Sequence, residues 1–217
     1  MYFHVKFLIV IISLVMFNGS VLATTEEDLI KKLESDIWYD LFYNKGELQK
    51  YKKGDNFKKL VEVAENKGLD WHIRIKAIKL LSVTSNIAVP DILINMLYDP
   101  FFNHECPAIK SSVAEALGNF SNDSRVVDAL LYSMNDGEIQ VREASIDALG
   151  KIRNKKAIPA LLKIVDDKSI ALRIAAIRSL GMIGDSSALN KLTFIAEKDA
   201  INEIRSTAKD AIERIVN

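Results

Sequence analysis

His104-Glu105-Cys106 is the densest run of reactive side chains in this sequence. A histidine beside a carboxylate can ligate a metal, and a thiol near an imidazole is the pair from which a nucleophile and its base are made. Neither chemistry is completed. Beyond residue 23 the only other histidine is His72, and Cys106 is the only cysteine. Two imidazoles and one thiol do not supply a dinuclear or zinc site unless several carboxylates join them, and the spacing of the carboxylates gives no such pattern. Cys106 is therefore expected to be a structural thiol. No glycine-rich phosphate loop and no G-x-S-x-G elbow occur in the chain. The expectation is no catalytic residue, no metal and no cofactor.

The elements around this run repeat. Val141-Arg142 opens a frame that closes on Ala148-Leu149-Gly150, and Leu172-Arg173 opens one that closes on Ser179-Leu180-Gly181. Ile109-Lys110 to Ala116-Leu117-Gly118 is a third copy, and Ile73-Arg74 and Ile204-Arg205 open copies without the glycine. Lys110, Arg142, Arg173 and Arg205 are 32, 31 and 32 residues apart, with Arg74 36 before Lys110. A fixed period of that length marks a solenoid of stacked helix pairs.

Each frame is the second helix of a pair. First helices begin alike at Val89-Pro90 and Ile158-Pro159, with proline in the first turn where its missing N–H has no partner to lose. The pairs are expected at 56–84, 88–119, 124–152, 156–183 and 187–216. On the second helices, large residues such as Val141 and Leu149 flank small ones such as Ser145, a stripe that lets helices approach closely. The glycines at 118, 150 and 181 weaken a helix, so close packing is the reason to keep them. Asn122, Asn154 and Gly184 are placed to end the helices in a left-handed conformation.

The first residues read differently. His4 and Lys6 precede an almost wholly apolar run from Phe7 to Phe17, followed by Asn18-Gly19-Ser20 and Val21-Leu22-Ala23. This is the layout of a secretory signal peptide over 1–23 with cleavage after Ala23, which implies a periplasmic or secreted protein. An uncleaved anchor is the alternative, although eleven residues fall short of the roughly 18 needed to span a bilayer. Removing residues 1–23 takes away Lys6 and no acid, leaving 28 basic against 29 acidic residues and a net charge near −1. That balance gives no bulk attraction to nucleic acid or anionic lipid. Residues 24–55 then form an N-terminal capping helix over 25–43 and a polar connection, ahead of a repeat domain at 56–217.

The frame residues resemble HEAT repeats, in particular the short HEAT-like type of phycobilisome lyase subunits. Asp136, Asp167 and Asp199 each precede Arg142, Arg173 and Arg205 by six residues. The resemblance implies that these six side chains form a ladder between adjacent repeats. The first two units depart from the pattern, since Asp70 is four before Arg74 and Asp99 is eleven before Lys110. It also implies an all-α, α-solenoid fold, an α-α superhelix of about five HEAT-like pairs. HEAT-like proteins include an iron-dependent hydroxylase with His-Glu pairs on repeated helices. Here His104-Glu105 is the only such pair, and it lies outside the frame.

Between Asp99 and Lys110 the array carries its one clear insertion, with Pro100, Phe101, Phe102 and His104. Insertions in solenoids fall on one edge, often near a binding face. Phe101 and Phe102 are candidate partner contacts, with a plug over the core as the alternative; His72 on the adjoining second helix is the companion candidate. Between residues 24 and 103 lie ten of the thirteen aromatic residues that follow Ala23, which suits either an interface or an end cap. Lys79, Glu115, Asp147, Arg178 and Asp210 share one outward position with mixed signs, which argues against a phosphate-tracking groove. The reading is an exported scaffold that binds protein partners, without nucleic acid or stable membrane insertion after cleavage. A lyase-like accessory or enzyme subunit is the alternative.

Overall fold

The computed structural model describes residues 25–36, 38–100 and 106–217. The segment 1–23, with its apolar run and cleavage site, and Phe101, Phe102, His104 and Glu105 lie outside the described residues. Among those described there are helices and no strands.

The five helix pairs are α4 (Gly54–Glu65) with α5 (Trp71–Leu81), α6 (Val89–Tyr98) with α7 (Pro107–Leu117), α8 (Ser124–Ser133) with α9 (Ile139–Ile152), α10 (Ile158–Ile164) with α11 (Ile170–Ile183), and α12 (Leu189–Lys198) with α13 (Asn202–Val216). Ahead of them run α1 (Glu26–Glu34), α2 (Trp38–Tyr43) and α3 (Lys45–Gln49). Each pair packs internally, and the second helices α7, α9, α11 and α13 lie along one another far more extensively than the first helices do. A stack spaced closely on one layer and widely on the other bends toward the close side, so the second helices form the concave layer.

Three glycines set that spacing. A Cβ on Gly118 would sit 3.3 Å from Ala148 Cα, one on Gly150 2.7 Å from Ser179 Cβ, and one on Gly181 2.8 Å from Ala211 Cα. Each glycine near the end of one second helix faces a small residue of the next; Gly118 and Gly181 meet the backbone of Ala148 and Ala211, and Gly150 meets the Ser179 side chain. Ser179 Oγ uses the proximity to donate to the Ile146 carbonyl at 2.9 Å. Around this line Val113, Leu117, Leu149, Leu172, Leu180 and Ile204 are buried in one continuous core. The equivalent position on α13 is Glu213, exposed beside exposed Lys209 and Ser206, so this face offers no apolar seam to a further helix.

Four local expectations change, one of them at Asn122, which is not in the left-handed region. The single N-terminal helix over 25–43 is broken at Ser35, which takes an extended conformation while its hydroxyl donates to the Lys32 carbonyl at 2.7 Å. Serine competes for backbone groups in this way and ends helices. Within the expected connection Asn44 caps the short α3. The left-handed residue after α9 is Arg153, with φ 58°, while Asn154 has an extended backbone and caps the 3-10 turn at Lys155–Ala157. Gly184 does end α11 in the left-handed region, at φ 74°. The N-terminal helices are tied to the array by Lys76, whose ammonium donates to the Leu33 carbonyl at 2.6 Å and lies 5.6 Å from the centre of the Trp38 ring.

Gly181→Ala forces a methyl group against backbone that cannot rotate away, and should cost about 1–3 kcal/mol. Gly137→Ala, with nothing within 4 Å of the new methyl, should stay within about 0.5 kcal/mol. Chemical denaturation of the two variants checks this, and equal midpoints would show that the close approach is not what the glycine provides.

Candidate functional site

The aspartates that follow the first helices divide their two oxygens between two tasks. Oδ1 of Asp136, Asp167 and Asp199 accepts the backbone N–H two residues on, from Glu138 (3.0 Å), Ser169 (2.8 Å) and Ile201 (2.9 Å), which shapes the turn into the second helix. Oδ2 accepts from a cation of the preceding pair: Lys110 for Asp136, Arg142 at 2.8 Å for Asp167, and Arg173 for Asp199. The arginines are equally divided. Arg142 Nε donates to the Met134 carbonyl at 3.1 Å and Arg173 Nε to the Val165 carbonyl at 2.8 Å. Those carbonyls end the first helix of the arginine's own pair, where helix acceptors lack intrahelical donors and favour a cation. Each of these two arginines thus closes its own repeat and grips the next.

Lys110 extends this row to the second pair, where the residue pattern departed from the others. It reaches Asp136 with side-chain exposures of 7% and 9%. Asp70 has another task, capping α5 by accepting the His72 N–H at 2.8 Å. At the far end Arg205 donates to the Asp199 and Ala200 carbonyls at 2.7 and 3.2 Å and to Asn202.

The carboxyls of this row respond electrostatically. Asp167 is held below its ordinary value by the Ser169 N–H, which together with Arg142 outweighs burial. At Asp199 burial pushes upward most strongly, but the Ile201 N–H, Arg173 and Arg205 together bring it below the ordinary value.

Further ion pairs join neighbouring repeats at the surface. Around the first helices Arg125 pairs with Asp91, Lys156 with Asp128, and Lys191 with Asp166 at 2.8 Å. On the concave layer Arg178 donates to both Asp147 oxygens, at 2.9 and 3.1 Å. Arg178 was expected as a solvated side chain; it has this partner, but the pair is 47% and 40% exposed.

The ladder binds the array to itself. A groove lies beside its Lys110 end. Tyr98 closes α6 and Tyr132 lies on α8, 46% and 67% exposed, with their rings 5.2 Å apart in an edge-to-face contact. Between them opens a groove of about 390 Å³ with Lys110 and Asp136 at its base and Asn135 and Pro100 on its walls. Pro100 is the last described residue before Phe101 and Phe102. Burial, with smaller contributions from Asp128 and Tyr132, raises the Tyr98 hydroxyl, which keeps it a neutral donor.

His72 is not among the residues that line the groove. It begins α5, exposed, with its ring stacked on Trp71 and Nδ1 2.7 Å from Asp70 Oδ1. Sequence reasoning missed Tyr98 and Tyr132 as site residues. The available signal was that Tyr132 follows the buried Leu130 by two positions, about 200° around the helix, and so points away from the core. Cys106 is half-buried just ahead of α7. Among the described residues no group of three or more His, Cys, Asp or Glu side chains could hold a metal ion, and no helix is long and apolar enough to cross a membrane.

Residues 127–213 match the family model for HEAT repeats. The fold of the chain is similar to the complex of CpcE and CpcF of phycocyanin lyase from Nostoc sp. PCC7120, at 22% identity and TM-score 0.54, covering 89% of this chain and 77% of that one. It is also similar to a designed armadillo repeat protein in complex with the peptide (KR)4, at 15% identity and TM-score 0.56, covering 86% and 98%. An engineered protein matches at 18% identity and TM-score 0.51, covering 88% and 96%. At these identities the likeness is one of fold. No curated protein matches the sequence.

Arg173→Ala removes a bond to a helix-end carbonyl together with a half-buried ion pair, and should cost on the order of 1–3 kcal/mol. Arg178→Ala loses only an exposed pair and should cost below about 1 kcal/mol; equal denaturation midpoints would defeat the distinction. Because Asp167 and Asp199 have lowered folded-state pKa values, their stabilisation is complete above an unfolded value near ~3.9 and is lost as pH falls through the folded values. Asp199→Asn should therefore lose less stability than the parent on acidification from about pH 5 to about pH 2, followed by helical circular dichroism.

Proposed function

We propose that this HEAT-repeat chain is an exported scaffold that binds protein partners and performs no catalysis of its own. The observation that carries the reading is the groove between Tyr98 and Tyr132. There, two exposed aromatic rings stand at the place where an insertion rich in aromatic residues interrupts an otherwise regular stack. Aromatic side chains fixed on rigid helices bury large area at little entropic cost, which is why they dominate binding energy at interfaces. The fold is suited to the task, since stacked pairs present an extended concave layer without needing a closed cavity. The similar designed armadillo protein holds a peptide, and the similar phycocyanin lyase structure is a complex of two named components.

Phe101 and Phe102 are assigned to the same binding edge, with His72 as an outlying contact. The reading places residues 1–23 as a cleaved signal peptide and the folded chain outside the cytoplasm.

Affinity capture from envelope extract, with the chain as bait, tests the assignment. Tyr98→Ala with Tyr132→Ala, and separately Phe101→Ala with Phe102→Ala, should each weaken retention of the captured protein at least about tenfold, with Tm almost unchanged. If the phenylalanines instead plug the core, their truncation should cost roughly 3–5 kcal/mol, and a large fall in Tm would overturn their part in binding. Catalytic activity of the purified chain would replace the scaffold reading with that of an enzyme subunit. N-terminal sequencing of protein from the envelope fraction should begin at Thr24; retention of Met1 with tight membrane association would mean an anchor, and intact cytosolic protein would remove export.

A further inference from the structure

Each of the last three seams between second helices is closed by glycine against a small residue, at Gly118–Ala148, Gly150–Ser179 and Gly181–Ala211. The seam between α5 and α7 is built otherwise. The residue that follows Leu81, at the position of the three glycines, is Ser82. Its hydroxyl donates to the Lys79 carbonyl at 2.8 Å and accepts from Asn119 Nδ2 at 3.0 Å, so a side chain stands where each of the other seams has a glycine. Both helices are also short, eleven residues each against 14, 14 and 15 for α9, α11 and α13, and they lie against each other less extensively than the later second helices do. The ion pair from Lys67 to Asp99, at 3.4 Å, joins the first pair to the second with side chains 42% and 28% exposed.

A groove opens at this same junction. It measures about 810 Å³, and its walls come from the turns that follow the two helices: Ser85 and Asn86 after α5, Asn119, Phe120 and Ser121 after α7. Asn119 is held from the far side by the Lys151 ammonium, and Asn86 Nδ2 donates to the Lys52 carbonyl at 2.6 Å. One wall is therefore fastened to the N-terminal unit and the other to the later pairs.

We infer that the α5–α7 junction is the compliant joint of the array. The unit formed by α1 to α5 swings as a body against α6 to α13, and the groove at Ser82 and Asn119 widens and narrows with that angle. Hinges of this kind need a locally weak interface between two well-packed bodies. Here the weakness has a definite cause: a hydroxyl in place of the hydrogen atom that lets the helices approach closely. A partner spanning the joint would select one angle, whereas a partner confined to the Tyr98–Tyr132 groove would not depend on it.

Pulsed electron paramagnetic resonance on the full-length chain, in a Cys106→Ser background, measures the motion. Nitroxide labels at exposed Lys58 and Asp128 span the joint, and labels at Asp128 and Thr193 span the same number of pairs beyond it. The distance distribution across the joint should be at least about twofold broader than the control. Ser82→Gly, which restores the glycine of the later seams, should narrow the first distribution and leave the second unchanged. Equal widths for the two label pairs in the parent chain would overturn the inference, and that comparison stands even if Ser82→Gly does not fold.

Discussion

The architecture depends on how closely two second helices can approach. Side chains of ordinary size hold helix axes roughly 8–10 Å apart, and glycine or alanine at the crossing is what permits the lower end of that range. Gly118, Gly150 and Gly181 provide it at three successive seams. The first helices have no such contact and splay apart, so the difference between the layers becomes curvature. Helix propensity is sacrificed at each glycine, and the continuous apolar core on either side more than offsets a loss of about 1 kcal/mol per residue.

Charge then fixes what packing alone leaves variable. An apolar seam tolerates sliding, whereas an arginine bonded at once to its own repeat's helix end and to the next repeat's aspartate does not. The ladder at Arg142–Asp167 and Arg173–Asp199 combines three features that surface pairs lack: partial burial, a main-chain bond to the guanidinium, and a carboxylate already oriented by a backbone N–H. The pairs at Asp91–Arg125, Asp128–Lys156 and Asp147–Arg178 also join neighbouring repeats but face water. Exposed pairs of that kind are screened and contribute little. An ion pair between repeats is therefore not enough to identify a structural residue; what else the side chain is bonded to decides.

Where a repeat protein departs from its period, packing no longer explains the residues present. Two departures occur in the N-terminal half, the insertion after Pro100 and the serine at position 82, and a groove lies at each. The three later pairs are regular in sequence and seam. This division places variable chemistry on one part of the array and constancy on the other.

The sequence by itself determined the helix pairs, their number and their order, because a 31- or 32-residue period with glycine and proline at fixed places admits few other folds. It also named the carboxylates and guanidiniums of the ladder, since their spacing repeats with the helices. The tertiary structure alone decided which oxygen faces which partner, and that Lys110 takes Asp136 although the count from Asp99 is wrong for it. That pairing lies 26 residues ahead, across a seam whose geometry no local spacing encodes. It likewise broke the N-terminal helix at Ser35, moved the left-handed residue from Asn154 to Arg153, and brought Tyr98 against Tyr132. Each of these turns on how two separately legible elements meet, and a one-dimensional pattern carries the faces of helices but not the distance between them.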